Sequence, residues 1–246
     1  RGEGTTTVAA TIPGLIATDA ATRPVTVSVP TISAGGTATL GSGLQLARTG
    51  SLGASDHGGV MVTVESSNPS LLLVSPSATT PGTSSFQLFL ADGATILGYH
   101  VQGFESVTGT ANVIIKAAGF SDGTAAVIVV QPALQITGLA TTRTATSAND
   151  EFTVQGGIPG TNNISLTQVQ AVRAGGSTVT ANLSNSAATV AQLVTLAGTG
   201  PTATVAIQPT QFQSPTTVSG GGVALDVSAS GTTTVAAVAG VATFSN

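Results

Sequence analysis

Gly4-Thr5-Thr6-Thr7-Val8-Ala9-Ala10 returns residue for residue as Gly231-Thr232-Thr233-Thr234-Val235-Ala236-Ala237. A looser copy, Gly109-Thr110-Ala111-Asn112-Val113-Ile114-Ile115, stands between them, with Val113 answering to Val8 and Val235. Each copy runs into the same kind of corner: Ile12-Pro13-Gly14-Leu15, Ala117-Ala118-Gly119-Phe120 and Val238-Ala239-Gly240-Val241. The copies begin at positions 4, 109 and 231, so the intervals are 105 and 122 residues. Self-similarity at that spacing means repeated domains, each near the roughly 100 residues of a small β-sandwich.

Outward from these copies the chain alternates as strands do. Val25, Val27 and Val29 are interleaved with Thr26 and Ser28, a period of two that marks a half-buried strand. Residues 5–12 and 24–29 read as two strands, and match 110–116 and 125–130 near the end of the middle repeat. That repeat supplies further strands around Leu40, Leu44 to Leu46, Val62 and Val64, Leu71 to Val74, and Phe86, Leu88 and Leu90. Asn68-Pro69 favours a turn, and Asp92-Gly93 predicts a hairpin into residues 96–101. Asp122-Gly123 predicts a similar turn before residues 126–130. The later repeat follows suit, with Gly175-Gly176 and Val179-Thr180 answering to Gly58-Gly59 and Val62-Thr63, and an insertion over 209–222. Seven or more strands with turns every 8–12 residues is the count of a sandwich. The expectation is an all-β chain of tandem immunoglobulin-like β-sandwich domains. Residues 1–30 carry the closing strands of a preceding repeat or an inter-subunit segment, 31–132 one domain, and 133–246 a second that lacks its own last strand. One core is expected to hold Val62, Val64, Phe86, Leu88, Val113, Val127 and Val129, the other Val179, Val205, Ile207, Leu225 and Val235. Arg1 in the first position is expected of a mature product or an excised piece.

Composition narrows the function classes. Charged residues are 7% of 246, against roughly a quarter in an ordinary soluble domain. A hydrophobic share of 41% and mean hydropathy of +0.41 demand burial rather than disorder. Thr, Ser and Gly interrupt every apolar run before the roughly 18–20 residues of a membrane helix, so no membrane span is expected. Net charge is −4, and the six cations are scattered, so no basic patch exists to follow a nucleic-acid backbone. Cysteine is absent, which removes disulfides and thiolate metal sites. With so little charge, strands such as 111–117 and 235–238 are near-apolar on both faces, and some outer surface should meet another module.

The run Val62-Thr63-Val64-Glu65-Ser66-Ser67-Asn68-Pro69-Ser70 leading to Val74-Ser75-Pro76, then Gly109-Thr110-Ala111-Asn112-Val113, resembles bacterial immunoglobulin-like (Big-type) repeats of large secreted and surface proteins. The similarity covers nearly the whole chain and rests on turns and core valines. It implies an extracellular or cell-surface setting and service as a spacer, stalk or wall of adhesins, sheaths and fibres.

Residues that could carry chemistry are few. His57 and His100 lie in different segments without a ligand cluster at metal spacing. Asp150-Glu151 is the one adjacent carboxylate pair, too few oxygens for the six to eight that Ca²⁺ takes. Lys116, the sole lysine, admits either a side-chain amide crosslink or a plain surface cation. Gly175-Gly176 and Gly220-Gly221-Gly222 lack the Lys-Ser/Thr of a phosphate loop. The expected sets of catalytic, cofactor-binding and metal residues are therefore empty, and the chain is read as no enzyme with no cofactor. Asn163 and Asn182 open glycosylation sequons, a weak signal in so Ser/Thr-rich a chain. The favoured reading is a structural repeat of an extracellular filament, sheath or stalk, whose partners are copies of itself or adjacent repeats, head to tail. In that reading Val25, Val27 and Val29 are the subunit-contact candidates, pointing into the core of a neighbour. The alternative is an adhesin or carbohydrate-binding module that meets surface glycans through loops at one end of the sandwich.

Overall fold

In a computed structural model the described residues are 3–239. Gly240 and Val241 of the third corner lie outside them, as do the residues 242–246 on which the expected lack of a last strand in the second domain turns. Among the described residues the chain is all-β, its helical pieces being three single-turn 3-10 segments. β1 (Gly4–Ala9) and β2 (Thr22–Val27) form an antiparallel pair of their own. Next come β3 (Ile32–Ser33), β4 (Ala38–Gly41), β5 (Leu44–Leu52), β6 (Val60–Ser66), β7 (Leu72–Ser75), β8 (Ser85–Leu90), β9 (Ile96–Gly103), β10 (Gly109–Ala117) and β11 (Gly123–Val130). After these run β12 (Ala133–Thr137), β13 (Asp150–Pro159), β14 (Leu166–Val169), β15 (Ala171–Val172), β16 (Val179–Asn185) and β17 (Ala191–Thr195). β18 (Gly198–Gly200), β19 (Thr202–Ile207), β20 (Val223–Val227) and β21 (Val235–Ala239) complete the set.

Two sheets enclose the first core: β4-β11-β10-β6-β8, and β15-β5-β9-β7 with β3 on β5. Alternation decides which side chains enter it. In β10, Ala111, Val113 and Ile115 are buried while Thr110 and Asn112 are exposed. Val62, Val64, Val127 and Val129 join them from the same sheet, and Leu44, Leu72, Leu97, Tyr99 and Val101 face them from the other. Phe86 and Leu88 of β8 pack against this core only partly buried. Tyr99 is 1% exposed, and its hydroxyl donates to Ala34 O at 2.7 Å, which satisfies the one polar atom it takes inside.

A second pair of sheets, β12-β13-β20-β17-β18 with β14 on β13, and the three-stranded β19-β16-β21, encloses a smaller core around Phe152, Leu183, Leu193, Val205 and Leu225. Its pairings repeat the first. β13-β20-β17 corresponds to β5-β9-β7, and β19-β16-β21 to β8-β6-β10. Among the described residues, β11 and β4 have no counterpart there. Their likeness lies at the other end of the chain. The register Gly4↔Val27, Thr6↔Val25, Val8↔Arg23 of β1–β2 reproduces Gly109↔Val129, Ala111↔Val127, Val113↔Ala125 of β10–β11.

Three expectations need correction. Asp92-Gly93 is not a hairpin turn: β8 pairs with β6 and β9 with β5 and β7, so the chain crosses between sheets there. The aspartate serves the crossing instead, its Oδ1 accepting from Gly58 N at 2.7 Å and His57 N at 3.0 Å. Second, Ile207 belongs to the first core, and Val179 packs against it partly buried, because the ends of β16 and β19 reach the seam between the two cores. Third, Gly123 does not make the turn before β11; Gly119, at φ 82°, lies in it, with Phe120 N donating to Ala117 O. Gly123 is needed for contact, since a Cβ there would lie 2.5 Å from Ile32 O.

The Asp92 carboxyl is held below the ordinary range, first by the N–H of Gly58 and then by that of His57. A depressed folded pKa adds stability that is present above the unfolded value, about 3.9, and is lost as pH falls through the folded one. Asp92→Asn is therefore expected to lower Tm at pH 7, with the gap from wild type closing as pH drops below about 4. Thermal melts across that range check it.

Candidate functional site

The most built polar site lies between the two cores. β15 pairs with β5, so a strand from the carboxy-terminal half extends a sheet of the first sandwich, with Ala171↔Gln45 and Val172↔Leu44 in register. Val172 enters the first core at 2% exposure. Around it, buried polar side chains tie the two halves together. Gln170, 3% exposed, accepts from Gly41 N at 2.8 Å and donates to Thr39 O at 3.0 Å. Gln45 Oε1 accepts from Ala174 N and from Gln102 Nε2, while its own amide donates to Ala78 O. Buried amides of this kind hold a register, because each would be costly to leave unmade.

Arg173 locks the same junction. Its Nε donates to Glu105 Oε1 and its terminal nitrogen to Oε2, each at 2.7 Å, and the two side chains are 11% and 10% exposed. The guanidinium also stands 5.3 Å from the Phe104 ring centroid, within cation–π range. Arg173 N donates to Gly43 O at 3.0 Å. A bidentate, largely desolvated pair fixes distance and angle together. Sequence reasoning missed this site, as Arg173 and Glu105 are 68 positions apart. The available signal was scarcity: in a chain with six cations, an arginine that directly follows Gln170-Ala171-Val172 is conspicuous.

The second candidate is the β1–β2 hairpin. Every residue in both strands is exposed. Val25 is 43% and Val27 49% exposed, although the equivalent Val127 and Val129 are buried. Val29 does not share their position; it follows β2, partly buried, beside Phe120 and His57. A two-stranded ribbon with an uncovered apolar face is marginal alone.

The remaining sequence candidates are dispersed. His57 Nε2 donates to Ala94 O at 2.9 Å while Nδ1 accepts from Gly59 N, so the ring ties down a loop. His100 is half-buried on β9, and desolvation holds its pKa below the usual value. Asp150 accepts from Ala140 N at 2.8 Å and lies 3.5 Å from Arg143, whereas Glu151 accepts from Val218 N at 2.8 Å. Lys116 Nζ is 2.5 Å from Glu65 across β10 and β6. Asn182 stands exposed mid-β16, its Oδ1 accepting from Thr204, and Asn163 is exposed in a single-turn 3-10 segment. Among the described residues no group of three or more His, Cys, Asp or Glu gathers to hold a metal. No helix among them is long and apolar enough to cross a membrane. No family model and no curated protein matches the chain.

Proposed function

We propose that this chain is a non-enzymatic structural repeat of an extracellular filament, sheath or surface stalk, built from tandem immunoglobulin-like sandwiches joined head to tail. The observation that carries the reading is the locked junction: β15 inserted into the neighbouring sheet, Gln170 sealed beneath it and Arg173 clamped on Glu105. A linker that serves only as a tether needs none of this, whereas a rod that bears load or holds a helical pitch does. The low charge supports the same reading, since self-repulsion that would keep units apart is small. The adhesin alternative calls for aromatic platforms, and here Tyr99 and Phe152 are buried while exposed Phe89, Phe104 and Phe212 lie on β8 and in two separate loops. Negative-stain electron microscopy of the purified chain tests the proposal. Extended rods or filaments are expected; a field of isolated globular particles at all concentrations would overturn it.

A further inference from the structure

We infer that β2 of one copy of this chain completes the second sandwich of another copy by pairing along the open edge of β21, an inference that deepens the filament reading and rests on it. The first sandwich defines the slot. There β10 has β6 on one side and β11 on the other, and β11 in turn carries β4. In the second, β21 pairs with β16 on one side and, among the described residues, with no strand on the other. Where β11 and β4 would run, a cleft of about 390 Å³ opens, its floor made by Leu139, Val190, Leu225 and Val235 and its rim by Arg143 and Thr233. The shortfall shows in the core itself: among the described residues it has nine buried members against 23 in the first.

The occupant is identified by sequence and register together. β2 carries the Val25 and Val27 that correspond to buried Val127 and Val129, yet they are left 43% and 49% exposed. Its present partner, β1, is identical with residues 231–236. Trading β1 for that segment keeps every cross-strand pair: Thr6↔Val25 becomes Thr233↔Val25, Val8↔Arg23 becomes Val235↔Arg23, and Ala9↔Thr22 becomes Ala236↔Thr22. Main-chain hydrogen bonds lost equal those gained. The net change is the burial of two valines against the apolar floor of the cleft and the closing of a strand edge, which favours the exchange. Arg23, in the place of Ala125, is the one charged member of the inward row, with a stem long enough to carry its charge to the rim.

The connection also fits. β2 leads through four residues into β3 of its own first sandwich, as β11 leads through two into β12. A donated β2 therefore sets the donor's first sandwich next to the acceptor's second, in the order the two have within one chain. Donor and acceptor surfaces differ, so the contact is heterologous and repeats into a filament.

Thr22→Cys with Ala236→Cys in the full chain tests this, since the chain has no native cysteine and both positions are exposed. Paired strands bring such residues within disulfide reach. Oxidation is expected to give a ladder of dimers, trimers and longer species on a non-reducing gel, while the control Ala9→Cys with Thr22→Cys crosslinks within monomers. Val25→Asp with Val27→Asp should leave Tm unchanged and abolish the ladder. Filaments by electron microscopy without a Thr22/Ala236 ladder would sink the strand exchange and leave the filament reading standing. A monomer closed on itself through the same pair would also sink it. Absence of both filaments and ladder removes both.

Discussion

Arg173→Ala is expected to destabilise the chain by about 3–5 kcal/mol, the range for breaking one side of a buried ion pair. The substitution leaves Glu105 beside Phe104 with its carboxylate 10% exposed and two hydrogen bonds unmade. Because the pair spans the seam between the cores, the loss should fall on their coupling. Calorimetry is expected to show the two cores unfolding further apart in temperature in the variant than in the wild type. Removing both partners should cost less than the sum of the single changes, since no charge is then stranded. Arg173→Lys should recover little, because an ammonium cannot make the paired donor fork. A change within about 0.5 kcal/mol for Arg173→Ala would mean that the clamp is ornamental and the seam is held by β15 and Gln170 alone.

Phe152→Ala is expected to cost about 3–5 kcal/mol and to unfold the second sandwich selectively. The ring is 1% exposed and packs with Val154, Leu183, Leu193, Val205, Val223 and Leu225. A void in so small a core, nine buried members among the described residues, has few neighbours that can relax into it. The equivalent loss in the first core is spread over a larger cluster. Hydrogen exchange resolves the two: amides of β16, β17 and β20 should lose protection while those of β6, β9 and β10 keep theirs. Equal loss in both sandwiches would show that the seam makes them a single cooperative unit.

The sequence by itself determined the strands and the repeat. Alternation along Val60–Ser66, Gly109–Ala117 and Gly123–Val130 fixes which valines face inward, because side chains of a strand point to opposite sides in turn. Identity between residues 4–10 and 231–237 announced that the hairpin at one end is kin to a strand at the other, and β1–β2 holds the register of β10–β11. Both signals are local, or are comparisons of local signals.

Only the tertiary structure decided what meets across distance. Asp92-Gly93 has the composition of a hairpin, yet whether two flanking strands pair or separate depends on which sheet each completes, and no dipeptide encodes that. Val179 and Ile207 alternate correctly, yet they pack on the first core because β15 draws the seam toward them. Arg173 and Glu105, Gln170 and Gly41 meet from positions 68 and 129 apart. A polar side chain shows no period, and its burial is set by what the folded chain places around it. The seam was thus invisible in a sequence whose cores were plain, since hydrophobic pattern is repeated along a strand while a clamp is made once.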